Sequence, residues 1–254
     1  MLPVRFGPVV AEVEAIIFDK DGTLVDCFPW WMAMAEERRK ALGEIIRLTP
    51  DLAAHLDAVD GYDRGRCWID PAGPLAMASR AEETIIAAGA LYRYAGLGWS
   101  EARSVIEKAF ARAEERLLAR IGEVSQALPG AAAALSDLRK AGLRLAVATT
   151  DMVTRSEVML TMTGLRPFLH YLGGSDLVKR GKPHPDLVLH VCEQLGVQPE
   201  HVAMVGDTPD DMALGRNAGV RLKVGVLTGT NPREKLEPLA DVVIGSVAEI
   251  RPAG

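Results

Sequence analysis

The sequence predicts an α/β protein whose parallel-sheet core carries an inserted, all-helical domain. Three observations support this prediction. From about residue 129 onward, short apolar runs alternate with helical stretches of about 10–15 residues, a pattern typical of βαβ units. A further apolar run of the same kind ends at Phe18, close to the N-terminus. Between these two regions, residues 27–128 have helical spacing and none of the alternation typical of strands.

The elements of the core follow the N-terminal strand in a regular order. Pro129 and Gly130 precede a helix over residues 131–140, and Gly142 is well placed to end that helix. The later elements are, in order, the strand "LRLAVATT", a helix that ends near Gly164, the strand "HYLGG", the helix "PDLVLHVCEQLG", the strand "VAMVG", the helix "PDDMALGRNAG", and the strands "LKVGVLTG" and "ADVVIGS". Because several strands are apolar on both faces, they are expected inside a parallel sheet. The expected core is a Rossmann-like α/β fold.

The helical insertion divides the chain into two predicted domains. Its main helical segments are "WWMAMAEERRKALGEIIRL", "LAMASRAEETIIAAGALYRY" and "SEARSVIEKAFARAEERLLARI". We predict an α/β core from residues 1–26 and 129–254 and a helical cap from residues 27–128. The insertion begins directly after "DGTLVD", at the end of the first core strand, so we expect the cap to select the substrate.

Composition and charge argue against several classes of protein. The 254 residues carry a formal net charge of −5, which does not favour nucleic acids or anionic membranes as partners. No apolar stretch approaches the ~18 residues of a membrane span, and the start "MLPVRFGPVV" lacks the apolar region of a secretion signal. The cysteines, Cys27, Cys67 and Cys192, lack CxxC spacing, which predicts reduced thiols and a cytoplasmic protein. The expected assembly is a monomer or a homodimer.

Polar residues that follow the predicted strands are the candidate site residues. Ligands of parallel α/β sheets bind outside the carboxyl ends of the strands, so residues at these ends are expected to lie together. The candidates are Asp19 and Asp21 after the first strand, Thr149 and Thr150 after "LRLAVA", Lys182 in "GKPHPD", and Asp207 and Asp211 after "VAMV". Asp19 and Asp21 by themselves would also fit a surface turn, because Asp-Gly is a common turn signal.

Together these groups fit phosphoryl transfer through an aspartyl-phosphate. One carboxylate can attack phosphorus, which divides a difficult displacement into two easier steps. A second, protonated carboxyl group can supply a proton to the leaving alkoxide and later take one from water. Because carboxylates repel a phosphate dianion, the site needs a cation such as Mg²⁺, which prefers oxygen ligands. Lys182 and the Thr149 hydroxyl would hold the remaining phosphoryl oxygens.

Four ordered motifs resemble those of the haloacid dehalogenase-like (HAD) hydrolase superfamily. They are "FDKDGTL" at residues 18–24, "LAVATT" ending at Thr150, Lys182 in "GKPHPD", and "VGDTPDDM". The segments "LPG", "GRNAG" and "GVLTGT" also lie where similar segments occur in the phosphatases with a helical cap, such as phosphoglycolate phosphatase. The resemblance covers the core, whereas the cap matches only in position and helicity.

The resemblance implies a role for each matching residue. Asp19 would be the nucleophile and Asp21 the general acid/base, while Thr149, Thr150 and Lys182 would bind the phosphate. Mg²⁺ would be held by the Asp19 carboxylate, the Asp21 backbone carbonyl and Asp207, with Asp211 close to these ligands.

Three residues depart from the commonest family pattern. Lys20 stands between the two aspartates, where relatives usually have an apolar residue, and it makes "DKDGT" similar to the "DKTGT" of P-type ion pumps. Asp21 replaces the threonine of that pump motif, and the sequence shows no apolar span, so a hydrolase is favoured. Thr150 stands where many relatives have asparagine, and His184 replaces a small residue. The sequence assigns no role to Lys20 or His184.

Several alternatives stay open. The favoured activity is hydrolysis of a small organic phosphate monoester, of the phosphoglycolate or sugar-phosphate type. A phosphomutase would use the same nucleophile and return the phosphoryl group to a sugar, and a non-catalytic binding protein could retain the same fold. Asp207 could instead be the N-cap of the helix that starts at Pro209. Asp211 could instead orient Lys182 through a salt bridge.

The helix-breaking loop at residues 64–80 is the candidate substrate-selecting segment. It contains Pro71, Gly73 and Pro74, and its arginines suit a carboxylate or a second phosphate. We therefore expect the loop to face the active site, with Arg80 and Arg66 recognising the organic part of the substrate. The simpler alternative is that both arginines are solvated surface charges.

Overall fold

The computed structural model describes residues 1–253. The chain forms two compact units. The core unit consists of Met1–Cys27 together with the chain from Ser125 onward, and the helical unit is Phe28–Val124.

Strands and helices alternate through the core unit and helices dominate the helical unit. The strands found in residues 1–253 are β1 (Leu2–Phe6), β2 (Val9–Val13), β3 (Ala15–Phe18), β4 (Val25–Asp26), β5 (Tyr62–Asp63), β6 (Trp68–Ile69), β7 (Gln126–Ala127), β8 (Arg144–Ala148), β9 (Tyr171–Gly173), β10 (Val202–Gly206), β11 (Leu222–Val226), β12 (Val242–Ile244) and β13 (Ile250–Pro252). The α-helices of the same range are α1 (Phe28–Gly43), α2 (Pro50–Asp60), α3 (Pro74–Met77), α4 (Arg80–Tyr94), α5 (Trp99–Leu118), α6 (Ile121–Val124), α7 (Ala131–Lys140), α8 (Val153–Met162), α9 (Asp186–Leu195), α10 (Pro209–Ala218) and α11 (Arg233–Leu236).

A six-stranded parallel sheet forms the centre of the core unit, as predicted from the sequence. Its order is β12-β11-β10-β3-β8-β9, and each neighbouring pair is parallel. The residues of β3 are almost completely buried, which explains why that strand is apolar on both faces. The chain runs outward from β3 to β9 and then returns to β10 on the other side of β3. The strand order therefore reverses around β3, where sheets of this kind bind ligands.

Helices cover the central sheet and bury its apolar side chains. Leu187 and Val191 of α9 belong to one buried cluster with Ile17 of β3, Met204 of β10 and Leu214 of α10. Complete burial of one such side chain contributes about 1.5–3 kcal/mol to folding. This packing makes the strand ends of β3, β8 and β10 a rigid support for the polar residues that follow them.

A second, antiparallel sheet joins two strands near the N-terminus to β13 and was not predicted from the sequence. Its order is β13-β1-β2, with Val4 of β1 paired to Ala11 of β2 and to Pro252 of β13. Gly7 has a φ of +57°, which allows the tight turn between β1 and β2. Because β2 and β3 are separated by one residue, Glu14, the two strands form one apolar run in the sequence. The two strands are distinguished only by the sheets to which they belong.

The helical unit has its own apolar core, formed mainly by α1, α2, α4 and α5. Leu42, Leu56, Leu91, Ile106 and Phe110 belong to one buried cluster. The unit also contains a short antiparallel ladder between β5 and β6, two strands that the helical spacing of residues 27–128 did not predict. Its bounds, 28 and 124, lie inside the expected cap of residues 27–128, because β7 pairs with β4 in the core unit. The role of this unit as a substrate-selecting cap stays a prediction.

No helix found in residues 1–253 combines the length and the apolar character that crossing a bilayer would require. Cys27, Cys67 and Cys192 are free thiols. The cytoplasmic location and the monomeric or homodimeric assembly inferred from the sequence stay predictions.

Candidate active site

A tight backbone turn after β3 holds the two aspartates of "DKDGT". The Asp19 N–H donates to the carbonyl of Val205 in β10 (2.8 Å), and the N–H groups of Leu24 and Val25 both donate to the Lys20 carbonyl (2.9 Å). Gly22 has a φ of +80°, and a Cβ atom there would lie 2.8 Å from the Asp207 Oδ2 atom. Glycine is therefore required both by the turn and by the close approach of Asp207.

Asp207 and Asp211 follow β10 and have different local partners. Thr208 is the N-cap of α10, and Asp211 completes a capping box with it. The Asp211 Oδ2 atom accepts from the Thr208 hydroxyl (2.6 Å) and backbone N–H (3.1 Å). The alternative role of Asp207 as the N-cap is therefore wrong, and its carboxylate is available for another function.

Lys182 joins two carboxylates. Its Nζ atom donates to Asp19 Oδ1 (2.5 Å) and to Asp211 Oδ1 (2.6 Å), and its side chain is nearly buried. Burial opposes the charge of this ammonium group, but the two carboxylates outweigh it and raise the Lys182 pKa above its ordinary value. Asp211 therefore makes the salt bridge to Lys182 that the sequence left open as an alternative.

Three buried carboxylates lie together at this edge of the sheet. Oxygen atoms of Asp19, Asp207 and Asp211 lie within 4.8 Å of one another. Burial, followed by the charge of Asp211, raises the pKa of Asp207 to about 7. Burial also raises the pKa of Asp19 well above its ordinary value; Lys182 opposes the shift, whereas Asp211 and Asp207 add to it. Lys182 supplies only one positive charge to these three carboxyl groups. A bound cation would balance the excess negative charge.

We expect the stability of the metal-free protein to fall as the pH rises, because the Asp207 carboxyl group loses its proton. A carboxyl group with a raised pKa holds its proton more tightly when folded, so stability falls between the ordinary pKa of 3.8 and the folded value of about 7. One such proton contributes a slope of at most about 1.4 kcal/mol per pH unit. Urea unfolding of chelator-treated protein at pH 5 and pH 7 measures this slope.

The Asp207→Asn variant should lack this part of the pH dependence. Asp210→Asn is the matched control, because Asp210 lies three residues further along the chain and is exposed. An Asp207→Asn variant with the slope of the wild type would contradict the prediction.

The two threonines after β8 differ in burial. Thr149 is buried and its backbone N–H donates to the Gly173 carbonyl (3.0 Å). Its hydroxyl oxygen accepts from the Asp151 N–H (3.1 Å), a bond that does not use the hydroxyl hydrogen. Thr150 is exposed, which gives it less protein support for the phosphate contact expected from the sequence.

The Asp21 side chain is not part of the three-carboxylate cluster, and it forms an ion pair with a different lysine, Lys20. Its side chain is 30% exposed, and both of its oxygens contact the buried ammonium of Lys20 (2.7 and 2.8 Å). His184, which also had no role in the sequence analysis, is exposed. The two aspartates of "DKDGT" are thus held by two different lysines, Lys182 for Asp19 and Lys20 for Asp21.

Residues after β11 also hold the site together, although the sequence assigned them no role. The Thr230 N–H donates to Asp207 Oδ2 (2.9 Å), and the Thr228 hydroxyl donates to the Gly22 carbonyl (2.7 Å). A Cβ atom at Gly229 would lie 1.9 Å from Asp207 Oδ2, so a side chain is excluded there. The segment "GVLTGT" was the available signal, because it is one of the segments shared with HAD phosphatases.

The arginines of the loop at residues 64–80 make contacts within the helical unit. Arg66 is 83% exposed and lies 3.5 Å from Asp63. The Arg80 guanidinium lies over the Phe110 ring, 4.6 Å from its centroid. Neither contact tests substrate recognition, so the assignment of this role to both arginines stays a prediction.

Comparisons with known proteins show which family this chain resembles. The sequence profile of the haloacid dehalogenase-like hydrolases matches residues 13–219. A phosphoglycolate phosphatase from Chromobacterium violaceum is 27% identical over 240 residues, which cover 94% of this chain and 95% of that protein. An N-acetylmuramic acid 6-phosphate phosphatase from Pseudomonas aeruginosa is 29% identical over 211 residues, with 83% and 80% covered. The crystal structure of a β-phosphoglucomutase from Clostridium difficile shares the fold, with a TM-score of 0.60, 20% identity, and 93% and 92% covered.

The profile match extends across both units and includes the four motifs quoted from the sequence. The central sheet and its strand order are consistent with that match. The chain therefore belongs to the haloacid dehalogenase-like hydrolases.

Proposed function

We propose that this protein is a Mg²⁺-dependent phosphatase that hydrolyses small organic phosphate monoesters through an aspartyl-phosphate. The observation that carries the proposal is the position of Asp19. It follows the central strand β3, is bound by Lys182 at 2.5 Å, and lies within 4.8 Å of two further carboxylates. This proximity supports the proposal that Asp19 is the nucleophile, that Lys182 binds the phosphate and that the carboxylates hold a metal ion.

In the proposed reaction, a carboxylate oxygen of Asp19 forms a bond to phosphorus as the ester P–O bond breaks. Asp21 supplies a proton to the departing alkoxide oxygen. Water then attacks the phosphorus, Asp21 takes a proton from that water, and the bond between phosphorus and Asp19 breaks. Lys182 and the Thr149 hydroxyl hold phosphoryl oxygens during both steps, while Thr150 adds a weaker contact.

The carboxylates suit a hard divalent cation. Asp19 and Asp207 each offer oxygen ligands, and Asp211 is already bonded to Thr208 and Lys182. We assign Mg²⁺ to the Asp19 and Asp207 carboxylates and the Asp21 backbone carbonyl, with Asp211 beside them. When bound, the ion supplies positive charge that allows carboxylates and phosphate to approach. Its charge would also oppose the effects of burial and of the Asp211 charge, which raise the Asp207 pKa.

The names of the relatives support a substrate class. Phosphoglycolate and N-acetylmuramic acid 6-phosphate are both phosphate monoesters that also carry a carboxylic acid. We infer that this protein acts on an ester of the same kind, of the phosphoglycolate or sugar-phosphate type. An arginine that pairs with the second acidic group would provide the selectivity.

The direct test is phosphate release from a panel of metabolite phosphates, with and without a carboxyl group, in Mg²⁺ and in EDTA. We expect release that requires Mg²⁺, needs no bisphosphate activator, and is faster for the carboxylated esters. Activity that appears only with a sugar bisphosphate would instead support a phosphomutase, whose fold the Clostridium difficile enzyme shares. No release from any ester would favour a non-catalytic binding protein.

We expect Arg80→Ala to raise the KM for a carboxylated phosphate ester and to leave the KM for nitrophenyl phosphate nearly unchanged. A charged hydrogen bond contributes about 1.5–3 kcal/mol, which corresponds to a KM increase of roughly 10–100-fold if KM follows binding. Arg66→Ala should act in the same direction and less strongly, because Arg66 is 83% exposed.

Arg103→Ala is the matched control for the two arginines, since Arg103 is an exposed residue of α5 paired with Glu107 at 3.2 Å. Steady-state kinetics on both esters provide the measurement. Equal KM values in the wild type and in the Arg80 and Arg66 variants would show that neither arginine recognises the substrate.

A further inference from the structure

We propose that Lys20 is a positioning residue that holds the Asp21 carboxylate in the orientation needed for proton transfer. The proposal rests on the proposed function, because it takes Asp21 as the group that exchanges protons with the leaving alkoxide and with water. It goes beyond that function, because it gives a task to the residue at which this chain departs from the commonest family pattern.

Lys20 binds both oxygens of its neighbour. Its Nζ atom lies 2.8 Å from Asp21 Oδ1 and 2.7 Å from Asp21 Oδ2, and its side chain is 1% exposed. Asp21 itself is 30% exposed, so water alone would leave its carboxylate free to rotate. Contact of one fixed ammonium with both oxygens restricts that rotation. The buried lysine therefore fixes the orientation of the Asp21 carboxylate, which water alone would not do.

The ammonium of Lys20 is held from its other sides. Asp151 Oδ2 lies 3.5 Å away, and Met159 Sδ lies at 3.1 Å. Asp151 is fixed in turn by the Arg155 guanidinium (2.6 Å from Nε) and by the Met152 N–H (2.9 Å). Burial of a lysine is costly without such partners. The arrangement connects Asp21 to α8 through an ion-pair chain whose inner members, Lys20 and Asp151, are 1% and 10% exposed.

This contact leaves Asp21 able to exchange a proton. A carboxylate has about four acceptor sites, and the three N–H donors of a lysine cannot occupy all of them when one faces Asp151. Asp21 can therefore transfer a proton to the leaving alkoxide oxygen and accept one from water while Lys20 stays in place. Lys182 holds Asp19 separately, so a change at Lys20 leaves the nucleophile and its cation intact.

The test replaces Lys20 by methionine, which is of similar length and lacks the ammonium. We compare kcat/KM, in Mg²⁺, for an alkyl phosphate and for nitrophenyl phosphate. Complete loss of a general acid costs roughly 10²–10⁴-fold, so a misplaced one should cost the alkyl ester about 10–100-fold. Nitrophenolate departs without a proton, so the kcat/KM for nitrophenyl phosphate should change less than about 3-fold. The value of kcat/KM reports only the steps up to departure of the leaving group.

A second readout follows the later step of the reaction. Because Asp21 also activates water, Lys20→Met should slow hydrolysis of the phosphoenzyme and produce a pre-steady-state burst of nitrophenolate. A role in stability alone would change neither the ratio between the two esters nor the burst.

Arg155→Met is the matched control. It removes another positive charge from the same ion-pair chain, in which Arg155 binds Asp151. We expect its ester ratio to change much less than that of Lys20→Met, whatever its melting temperature, because Lys20 keeps both contacts to Asp21 in this variant. If Lys20→Met does not fold, Asp151→Asn tests the same proposal, because it weakens the contact that holds the Lys20 ammonium. The ratio of kcat/KM between the two esters should then change about 3–10-fold.

The outcomes separate this proposal from the proposed function. A wild type that releases phosphate from both esters, with Lys20→Met showing an unchanged ratio and no burst, overturns only the positioning role. The positioning role is also overturned if Arg155→Met changes the ratio as much as Lys20→Met does. A wild type that releases no phosphate from either ester overturns the proposed function, and the role of Lys20 with it.

Discussion

An Asp19→Asn variant is expected to lose phosphatase turnover while keeping its fold. A neutral amide cannot attack phosphorus and is a poor metal ligand, so the loss should be on the order of 10⁶-fold, as when the nucleophile of another covalent hydrolase is removed. Asparagine has the same size as aspartate, and the hydrogen bond from the residue 19 N–H to Val205 does not involve the side chain. Lys182 also keeps its salt bridge to Asp211 at 2.6 Å.

The melting temperature of Asp19→Asn should equal or exceed that of the wild type. Burial and the neighbouring carboxylates raise the Asp19 pKa, so removal of this charge relieves repulsion in the cluster. Phosphate release and thermal unfolding provide the measurements, with Asp210→Asn as the exposed control. Acid quenching followed by mass spectrometry should locate a phosphoryl group on Asp19 in the wild type. Substantial turnover by Asp19→Asn would disprove the aspartyl-phosphate mechanism.

An Asp21→Asn variant is expected to lose activity on alkyl phosphates by roughly 10²–10⁴-fold, the usual contribution of general acid/base catalysis. An amide cannot supply a proton to the alkoxide or remove one from water. The kcat/KM for nitrophenyl phosphate should fall much less, because nitrophenolate is stable without a proton. Comparison of kcat/KM for the two esters measures the effect directly.

The fold should survive this substitution as well. Asp21 is 30% exposed, and the Lys20 ammonium keeps Asp151 as an ionised partner at 3.5 Å. A matched variant is Asp26→Asn, which changes a carboxylate five residues further along the chain, in β4. Equal losses on both esters would show that Asp21 organises the site and does not transfer protons.

Most of the central sheet could be predicted because the relevant information is local. The residues of β3 and β10 are apolar on both faces, and this pattern is sufficient to indicate buried parallel strands. The small sheet of β1, β2 and β13 could not be predicted in the same way. β13 lies more than 230 residues from its partner β1, and no local pattern specifies that pairing.

The candidate site shows the same division. The motifs place Asp19 and Asp207 directly after strands, and because those strands are parallel neighbours, the two aspartates reach one edge of the sheet. Lys182 also lies at this edge, where it contacts Asp19. The chemical roles of these residues remain predictions that the substitutions above test.

The sequence by itself determined the order of the strands of the central sheet and of the helices between them, and the residues that follow those strands, because apolar periodicity and turn glycines act over a few residues. The tertiary structure decided which side chains are partners: Asp211 with Lys182, Thr230 with Asp207, and Lys20 with Asp21. These pairings depend on the approach of separate loops and on the burial that results. The same holds for the adjacent residues Lys20 and Asp21, because the burial of the Lys20 ammonium depends on packing with α8, whose Met159 Sδ lies 3.1 Å from it.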